Sequence, residues 1–186
     1  MLKKIEEFRV HVAITGFRNV KIGDVEHFLE ALNSKKPKDV EIQFFNAAYV
    51  ATWQHLYFAV INALTAFRNN ENISKNLAME TLLFASAQRQ IRKATGILGI
   101  TPHVKDMAVL VVGERIDSVK LAVSDLAKKI KGEQDEKVLE LTEGKICKIR
   151  ELFGFSDEQL NASSADLHDA LVNLVIEQMA LLSTER

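Results

Sequence analysis

The residues best suited to chemistry in this sequence are the cations Arg89, Arg92 and Lys93, which lie close together in the stretch Ile73–Ile100. No aspartate or glutamate occurs between Thr81 and Lys105. Two interpretations are open at this point. Cations in the last turn of a helix complement its dipole, and arginines in a basic cluster also bind phosphate through their forked guanidinium donors. The pattern therefore indicates either a stabilised helix end or an anion site, for which nucleic-acid phosphate is the most suitable ligand.

One long helix, from residue 74 to residue 96, is predicted to position these cations. Asn72 or Ser74 is expected to cap its start, and Gly96 its end. The first half is apolar on nearly every side, which is typical of a helix buried between other elements. Glu80 lies within that half, and a buried carboxylate must be paired or protonated. Because no second carboxylate stands beside Glu80, we expect a structural ion pair or an acceptor for a helix N-terminus rather than catalysis.

Motifs of known enzyme classes are absent from the sequence, which has no glycine-rich phosphate loop, nucleophile elbow or metal-ligand spacing. The five histidines are scattered, and His55 lies among apolar residues, where a core or rim histidine is expected. Gly96 and Gly99 match the GxxG loop of KH domains, but two glycines after a helix usually form a cap and a turn. We expect no catalytic residue, metal or cofactor. An enzyme that uses Glu80 and His55 is the alternative.

Composition limits the ways in which this chain can bind other molecules. The 186 residues carry a formal net charge of −1, so nucleic acid can be bound only through a local patch. The single cysteine, Cys147, excludes an internal disulfide and fits a reducing compartment. The charged start MLKKIEEF does not match a signal peptide, and polar residues interrupt the uncharged run Ile42–Phe67, so it does not match a membrane span. We expect a cytoplasmic protein with one domain over 1–186, an α/β core over 1–142 and C-terminal helices over 143–186.

Hydrophobic periodicity predicts alternating strands and helices along the chain. Strands are predicted at residues 10–14, 40–44 and 107–112, with a short edge strand at 138–141. Helices are predicted at 25–32 after an Asp24 cap, 47–67 after an Asn46 cap, 74–96, 116–130 and 143–153, with a further turn opened by a Ser156–Gln159 capping box. This order indicates an α/β sandwich whose small sheet, mainly antiparallel or mixed, is packed by helices, with a helical C-terminal part.

The last predicted helix, from Ser163 or Ser164 to about Leu182, carries two apolar stripes. The first stripe consists of Leu167, Leu171, Leu174 and Leu181, and the second of Val172, Val175, Ile176 and Met179. One stripe can face the core, and the other is then left to solvent or to a partner chain. We expect the second stripe to bind a partner.

Three segments of the sequence carry a family resemblance: NAAYVATWQHL at Asn46–Leu56, METLLFASAQRQI at Met79–Ile91 and VIEQMALL at Val175–Leu182. Together they resemble the small tRNA-recruiting subunit of the KEOPS complex, the family of the PRPK-binding protein TPRKB. The resemblance implies a non-catalytic subunit that binds the atypical small kinase or ATPase of the complex. It also implies binding of the CCA-bearing 3′ end of tRNA during threonylcarbamoyladenosine formation. The family often has glycine, as in ASGQRQI, where this chain has Ala87, and we expect this alanine to stiffen the helix.

The resemblance and the basic cluster together predict the residues that meet the tRNA 3′ end: Arg68, Lys75, Arg89, Gln90, Arg92 and Lys93. Backbone N–H groups near Ser74 are expected to supply further donors to a phosphate or a terminal hydroxyl. The alternative is a purely protein-binding regulator of the kinase subunit without tRNA contact, in which the cations only complement a helix dipole.

Overall fold

The computed structural model describes residues 1–34, 36–163 and 166–184. Contacts divide the chain into two compact units. Unit 1 comprises Met1–Ala47 with Gly99–Val138, and unit 2 comprises Ala48–Leu98 with Leu139–Arg186. Residues 48–98 therefore group with the C-terminal helices, which differs from the boundary near residue 142 that the sequence predicted. The single domain stays a prediction.

Unit 1 is built on a sheet in which every pairing between described strands is antiparallel. Its strands are β1 (Leu2–Ile5), β2 (Val10–Arg18), β3 (Val40–Asn46), β4 (Met107–Gly113) and β5 (Glu133–Gln134). They pair in the order β1-β2-β4-β3, and β5 also pairs with β2. The central strand β4 is buried along its whole length, which its unbroken apolar sequence predicted.

Two helices of unit 1 pack against this sheet, α1 (Val25–Asn33) and α5 (Ile116–Lys129). The carboxylate of Asp24 accepts a hydrogen bond from the His27 N–H at 2.7 Å and so caps α1, as predicted. Alternate residues of β2, β3 and β4 share one core with both helices. The predicted α/β class, with helices on a small antiparallel sheet, is confirmed.

Unit 2 is helical throughout its described elements. They are α2 (Trp53–Asn69), α3 (Leu77–Ala85), α4 (Ile91–Leu98), α6 (Glu143–Phe153), α7 (Asp157–Ser163) and α8 (Leu167–Thr184). Helix α6 has the predicted bounds and ends at Gly154 in the left-handed conformation, φ 71°. Ser156 and Gln159 form the predicted reciprocal capping box, with N–H to side-chain oxygen distances of 2.9 and 3.3 Å.

The start of α8 differs from its prediction. Asp166 caps the helix by accepting from the His168 N–H at 2.8 Å, whereas Ser163 belongs to α7. The alternative start at Ser164 lies outside the described residues. Within the described ranges, no helix combines the length and the apolar character that a membrane crossing requires.

One strand was missed by the local predictions, and two further predictions are wrong. Strand β1 was not predicted, because its exposed lysines hide the alternation of a half-buried strand. The predicted strand at 138–141 is instead part of a 3₁₀ turn over Glu136–Leu139. Helix α2 starts at Trp53 rather than at Ala47, because Ala47–Tyr49 form a 3₁₀ turn and Thr52 is extended.

The prediction of one helix over 74–96 is also wrong, because a turn between Ala85 and Ile91 separates α3 from α4. Ala87 adopts the left-handed conformation with φ 49°. Its N–H donates to the Phe84 carbonyl at 2.9 Å, and the Gln88 N–H donates to the Leu83 carbonyl at 3.0 Å. These two bonds form a Schellman motif, in which the left-handed position usually holds glycine. The expectation that Ala87 stiffens a continuous helix therefore fails.

The predicted caps of that helix fail with it. The side chain of Asn76, rather than Asn72 or Ser74, caps α3 by accepting from the Met79 N–H at 3.0 Å. Gly96 lies inside α4 and does not end it.

We expect Ala87→Gly to stabilise the protein by about 1 kcal/mol. The left-handed conformation costs an L-residue roughly 1–2 kcal/mol, which glycine avoids. Part of this stabilisation is lost, because glycine has more conformational freedom in the unfolded chain. Urea unfolding measures the change. Ala180→Gly is the matched control, since Ala180 is exposed inside α8, where the same substitution should destabilise by about 1 kcal/mol. Destabilisation by both variants would contradict the left-handed assignment.

Candidate nucleic-acid interface

Helix α3 is almost entirely buried, with Ala78 and every residue from Glu80 to Ala85 shielded from solvent. Glu80 is 0% exposed. Its Oε2 accepts hydrogen bonds from the N–H groups of Ile73 at 3.0 Å and Ser74 at 2.7 Å. This carboxylate thus holds the loop that leads into its own helix, so its observed role is structural. The prediction that the N–H groups near Ser74 are available to a phosphate is wrong, because Glu80 occupies them.

His55 fixes the other end of α3. Its Nδ1 accepts from the Ala51 N–H at 3.2 Å, and its Nε2 lies 2.8 Å from the Ala85 carbonyl oxygen. This arrangement requires the neutral tautomer with the proton on Nε2. Burial lowers the pKa of His55 from 6.5 to about 4, although the hydrogen bond to Ala85 raises it and nearby Lys145 lowers it. His55 is therefore neutral near pH 7, and it ties the start of α2 to the residue before the α3–α4 turn.

Four of the predicted tRNA-binding residues lie directly after this turn. Arg89 and Gln90 are in the connection between α3 and α4, and Arg92 and Lys93 are in the first turn of α4. All four side chains are exposed. The first turn of α4 contains no acidic residue. The structure thus brings these four residues together in one short segment of surface.

For Arg92 and Lys93, the position at a helix start does not fit the interpretation as complements of a helix dipole. The helix dipole places partial positive charge at the N-terminus, where cations are unfavourable and anions are favourable. Arg92 and Lys93 would complement the dipole only at a C-terminus, which is where the predicted single helix had placed them. A bound anion, by contrast, would interact favourably with both the cations and the dipole.

Arg68 and Lys75 belong to a separate group. Arg68 lies in the last turn of α2, where a cation does complement the dipole, and Lys75 is exposed in the loop before α3. Helix α3, about 13 Å long at 1.5 Å per residue, lies between these residues and Arg89. The six predicted residues therefore form two groups, one at each end of α3.

Two exposed isoleucines were missed from the sequence. Ile73 and Ile91 are 40% and 44% exposed. Ile91 directly precedes Arg92, and Ile73 lies two residues before Lys75. The continuous helix that the sequence predicts through Ile91 does not form. Since the break at Ala87 has no sequence signal in an alanine, Ile91 could not be recognised as a surface residue.

Comparison with known proteins identifies the family. The family model of the kinase binding protein CGI-121 matches residues 17–183. The chain belongs to the CGI-121 family. It is similar to the regulatory protein Cgi121 of Methanocaldococcus jannaschii, with 31% identity over 150 residues that cover 79% of this chain and 86% of that protein. The family predicted from the three sequence segments is confirmed.

In this CGI-121 family member, the second stripe of α8 does not face outward as predicted. Val175 and Met179 are both 0% exposed, and Val175 packs in a core with Ala51 and Ile149. Val172 and Ile176 are half-buried. The prediction of an outer stripe is wrong for Val175 and Met179, because the buried face of α8 takes residues from both stripes, Leu171 and Leu174 from the first and Val175 and Met179 from the second.

We expect Glu80→Gln to lower the free energy of unfolding by about 1–3 kcal/mol, because the amide NH₂ replaces a charged acceptor in a buried site. Urea unfolding measures the loss, and a tRNA gel shift should show little change. A variant of unchanged stability that no longer binds tRNA would contradict the structural role.

The lowered pKa of His55 predicts a specific dependence of the free energy of unfolding on pH. Because its pKa is about 4 in the folded state and 6.5 as the ordinary value, the unfolded state binds a proton more readily. The stabilising contribution is complete above about pH 6.5 and is lost as pH falls to 4, a loss of about 3 kcal/mol. Urea unfolding from pH 7 to pH 4 should show a shallower decline for His55→Gln, which cannot titrate. Equal declines for the two proteins would contradict this assignment.

Proposed function

We propose that this CGI-121 family member is a non-catalytic cytoplasmic subunit of a KEOPS-like complex. In this role it binds the small kinase or ATPase subunit and recruits tRNA by its CCA-bearing 3′ end for threonylcarbamoyladenosine formation. The observation that carries the tRNA contact is the group of exposed cations at the positive start of α4.

The start of α4 offers two kinds of group to phosphate. The Ala94 N–H donates to the Gln90 carbonyl, so the N–H groups of Ile91, Arg92 and Lys93 precede the first bond of this helix and lack intrahelical partners. These donors, the dipole and the side chains of Arg92 and Lys93 all favour an anion at the same point. A phosphate of a nucleic acid fits this arrangement.

A single-stranded end is the part of tRNA that suits this surface. The chain has a net charge of −1, so it cannot hold a duplex through many ionic contacts. Unpaired nucleotides also expose base faces, which add apolar contact to a few phosphate contacts. The exposed Ile91 directly precedes Arg92, and the exposed Ile73 lies two residues before Lys75, so apolar surface is available near the cations.

Kinase binding is supported by the name of the family and by that of its archaeal relative, a regulatory protein. From the second stripe of α8, the half-buried Val172 and Ile176 remain available for a partner surface. Burial of apolar side chains against a partner is favourable. We therefore assign the kinase contact on α8 to these two residues.

We expect Arg92→Glu combined with Lys93→Glu to weaken tRNA binding strongly. Loss of two phosphate contacts should flatten the log–log dependence of affinity on salt by about 1.4, at roughly 0.7 per contact for a single strand. Glutamate is favourable in the first turn of a helix, so the variant should stay folded. Gel shifts over a salt series measure the change.

Two controls separate the parts of the proposal. Ile176→Glu should lose the kinase subunit in a pull-down and keep tRNA, whereas the Arg92 and Lys93 variant should show the reverse. Intact tRNA is also compared with tRNA trimmed of its CCA end. Equal affinity for the two would contradict recruitment by the 3′ end, and unaltered tRNA binding by the charge-reversal variant would favour a purely kinase-binding regulator.

A further inference from the structure

Unit 1 contains an open groove of about 590 Å³ that the proposed function does not use. Two segments line it, Val20–Gly23 and Pro102–Lys105. Its floor is apolar and rigid, since Val20, Ile22 and Val104 are each less than 8% exposed and belong to the core beneath the sheet. Its volume is within the roughly 300–1,000 Å³ of small-molecule sites.

Backbone hydrogen bonds hold the two lining segments together and place a third segment, at Lys131, beside them. The Val20 N–H donates to the Lys105 carbonyl at 2.8 Å, and the Lys21 N–H donates to the Lys131 carbonyl at 3.0 Å. Gly132 permits the second approach, because a Cβ at this position would lie only 2.8 Å from the Arg18 carbonyl oxygen. The positions of these lysines therefore follow from the fold of unit 1.

Two aspartates beside the groove accept hydrogen bonds from backbone N–H groups. Asp24 caps α1 through the His27 N–H at 2.7 Å, and an oxygen of Asp106 lies 3.4 Å from the Asn19 nitrogen. Neither residue lines the groove, and its lining contains no acid. The charged side chains of the lining, Lys21 and Lys105, are thus both cationic and exposed, which favours an anion there.

We propose that this groove binds a single-stranded RNA segment. Phosphates lie on Lys21 and Lys105, and a base packs against the exposed Pro102 and His103 above the apolar floor. Imidazole rings and apolar surfaces accept unstacked bases, which a site for inorganic phosphate alone does not require. The groove shares no residue with the α3–α4 cluster, so it adds a second RNA contact. It rests on the proposed function only in taking RNA as the ligand.

The test measures binding of tRNA trimmed of its CCA end and of a ten-nucleotide oligouridine over a salt series. We expect Lys21→Glu combined with Lys105→Glu to weaken the binding of both ligands. The log–log dependence of affinity on salt should flatten by about 1.4, at roughly 0.7 per contact. Lys120→Glu combined with Lys148→Glu is the matched control, with the same charge change at two exposed lysines outside the groove. It should leave the slope near that of the unaltered protein.

His103→Ala tests the base contact, because it should weaken the binding of oligouridine more than the binding of inorganic polyphosphate. An unchanged slope in the groove variant, or an equal change in the control variant, would overturn the site. Equal competition by polyphosphate and oligouridine would overturn the assignment to RNA. If the groove variant behaves as the unaltered protein while CCA trimming and the Arg92 and Lys93 variant weaken tRNA binding, only the groove fails. The proposed function fails if those two changes have no effect.

Discussion

The burial of α3 is the constraint on which the candidate interface depends. A buried helix must have its end groups satisfied within the protein, because an unpaired buried backbone group costs about 1–3 kcal/mol. At one end Asn76 caps the helix and Glu80 binds the loop before it, and at the other His55 binds the Ala85 carbonyl. The same contacts fix the two segments that carry Lys75 and Arg89. The segments that carry these surface cations are therefore held in part by two fully buried polar side chains, Glu80 and His55.

The end of the helix at which these cations lie decides whether they stabilise or destabilise it. At a C-terminus Arg92 and Lys93 would each stabilise the helix by about 0.3–1 kcal/mol, and at the N-terminus they oppose it by a similar amount. The fold thus places exposed cations at the positive end of a helix on a chain whose net charge is −1. Such a region attracts an anion locally without making the whole protein bind polyanions. Recognition of one exposed end of an RNA requires this combination more than recognition along a duplex does.

The sequence predicts the elements of this fold best where local signals agree with the tertiary structure. The apolar run of β4, the Asp24 cap of α1 and the Gly154 end of α6 are each specified by residues within one turn or strand. The outer face of α8 could not be predicted in this way. Val175 and Met179 are as apolar as Leu171 and Leu174, and only packing within unit 2 decides which of them are buried.

The turn at Ala87 shows why the candidate site was predicted only in part. Its residue types were recognised, since cations without acidic neighbours are visible in any reading of the chain. Their geometry was not, because alanine favours helix by propensity and only the buried contacts on either side force it to φ 49°. Residues held in unfavourable backbone conformations tend to cluster at functional sites, where surrounding structure determines them. Here the strained residue precedes the unfavourably placed cations by only a few positions. Two local costs in one short segment share one explanation if the turn serves to present that segment to a ligand.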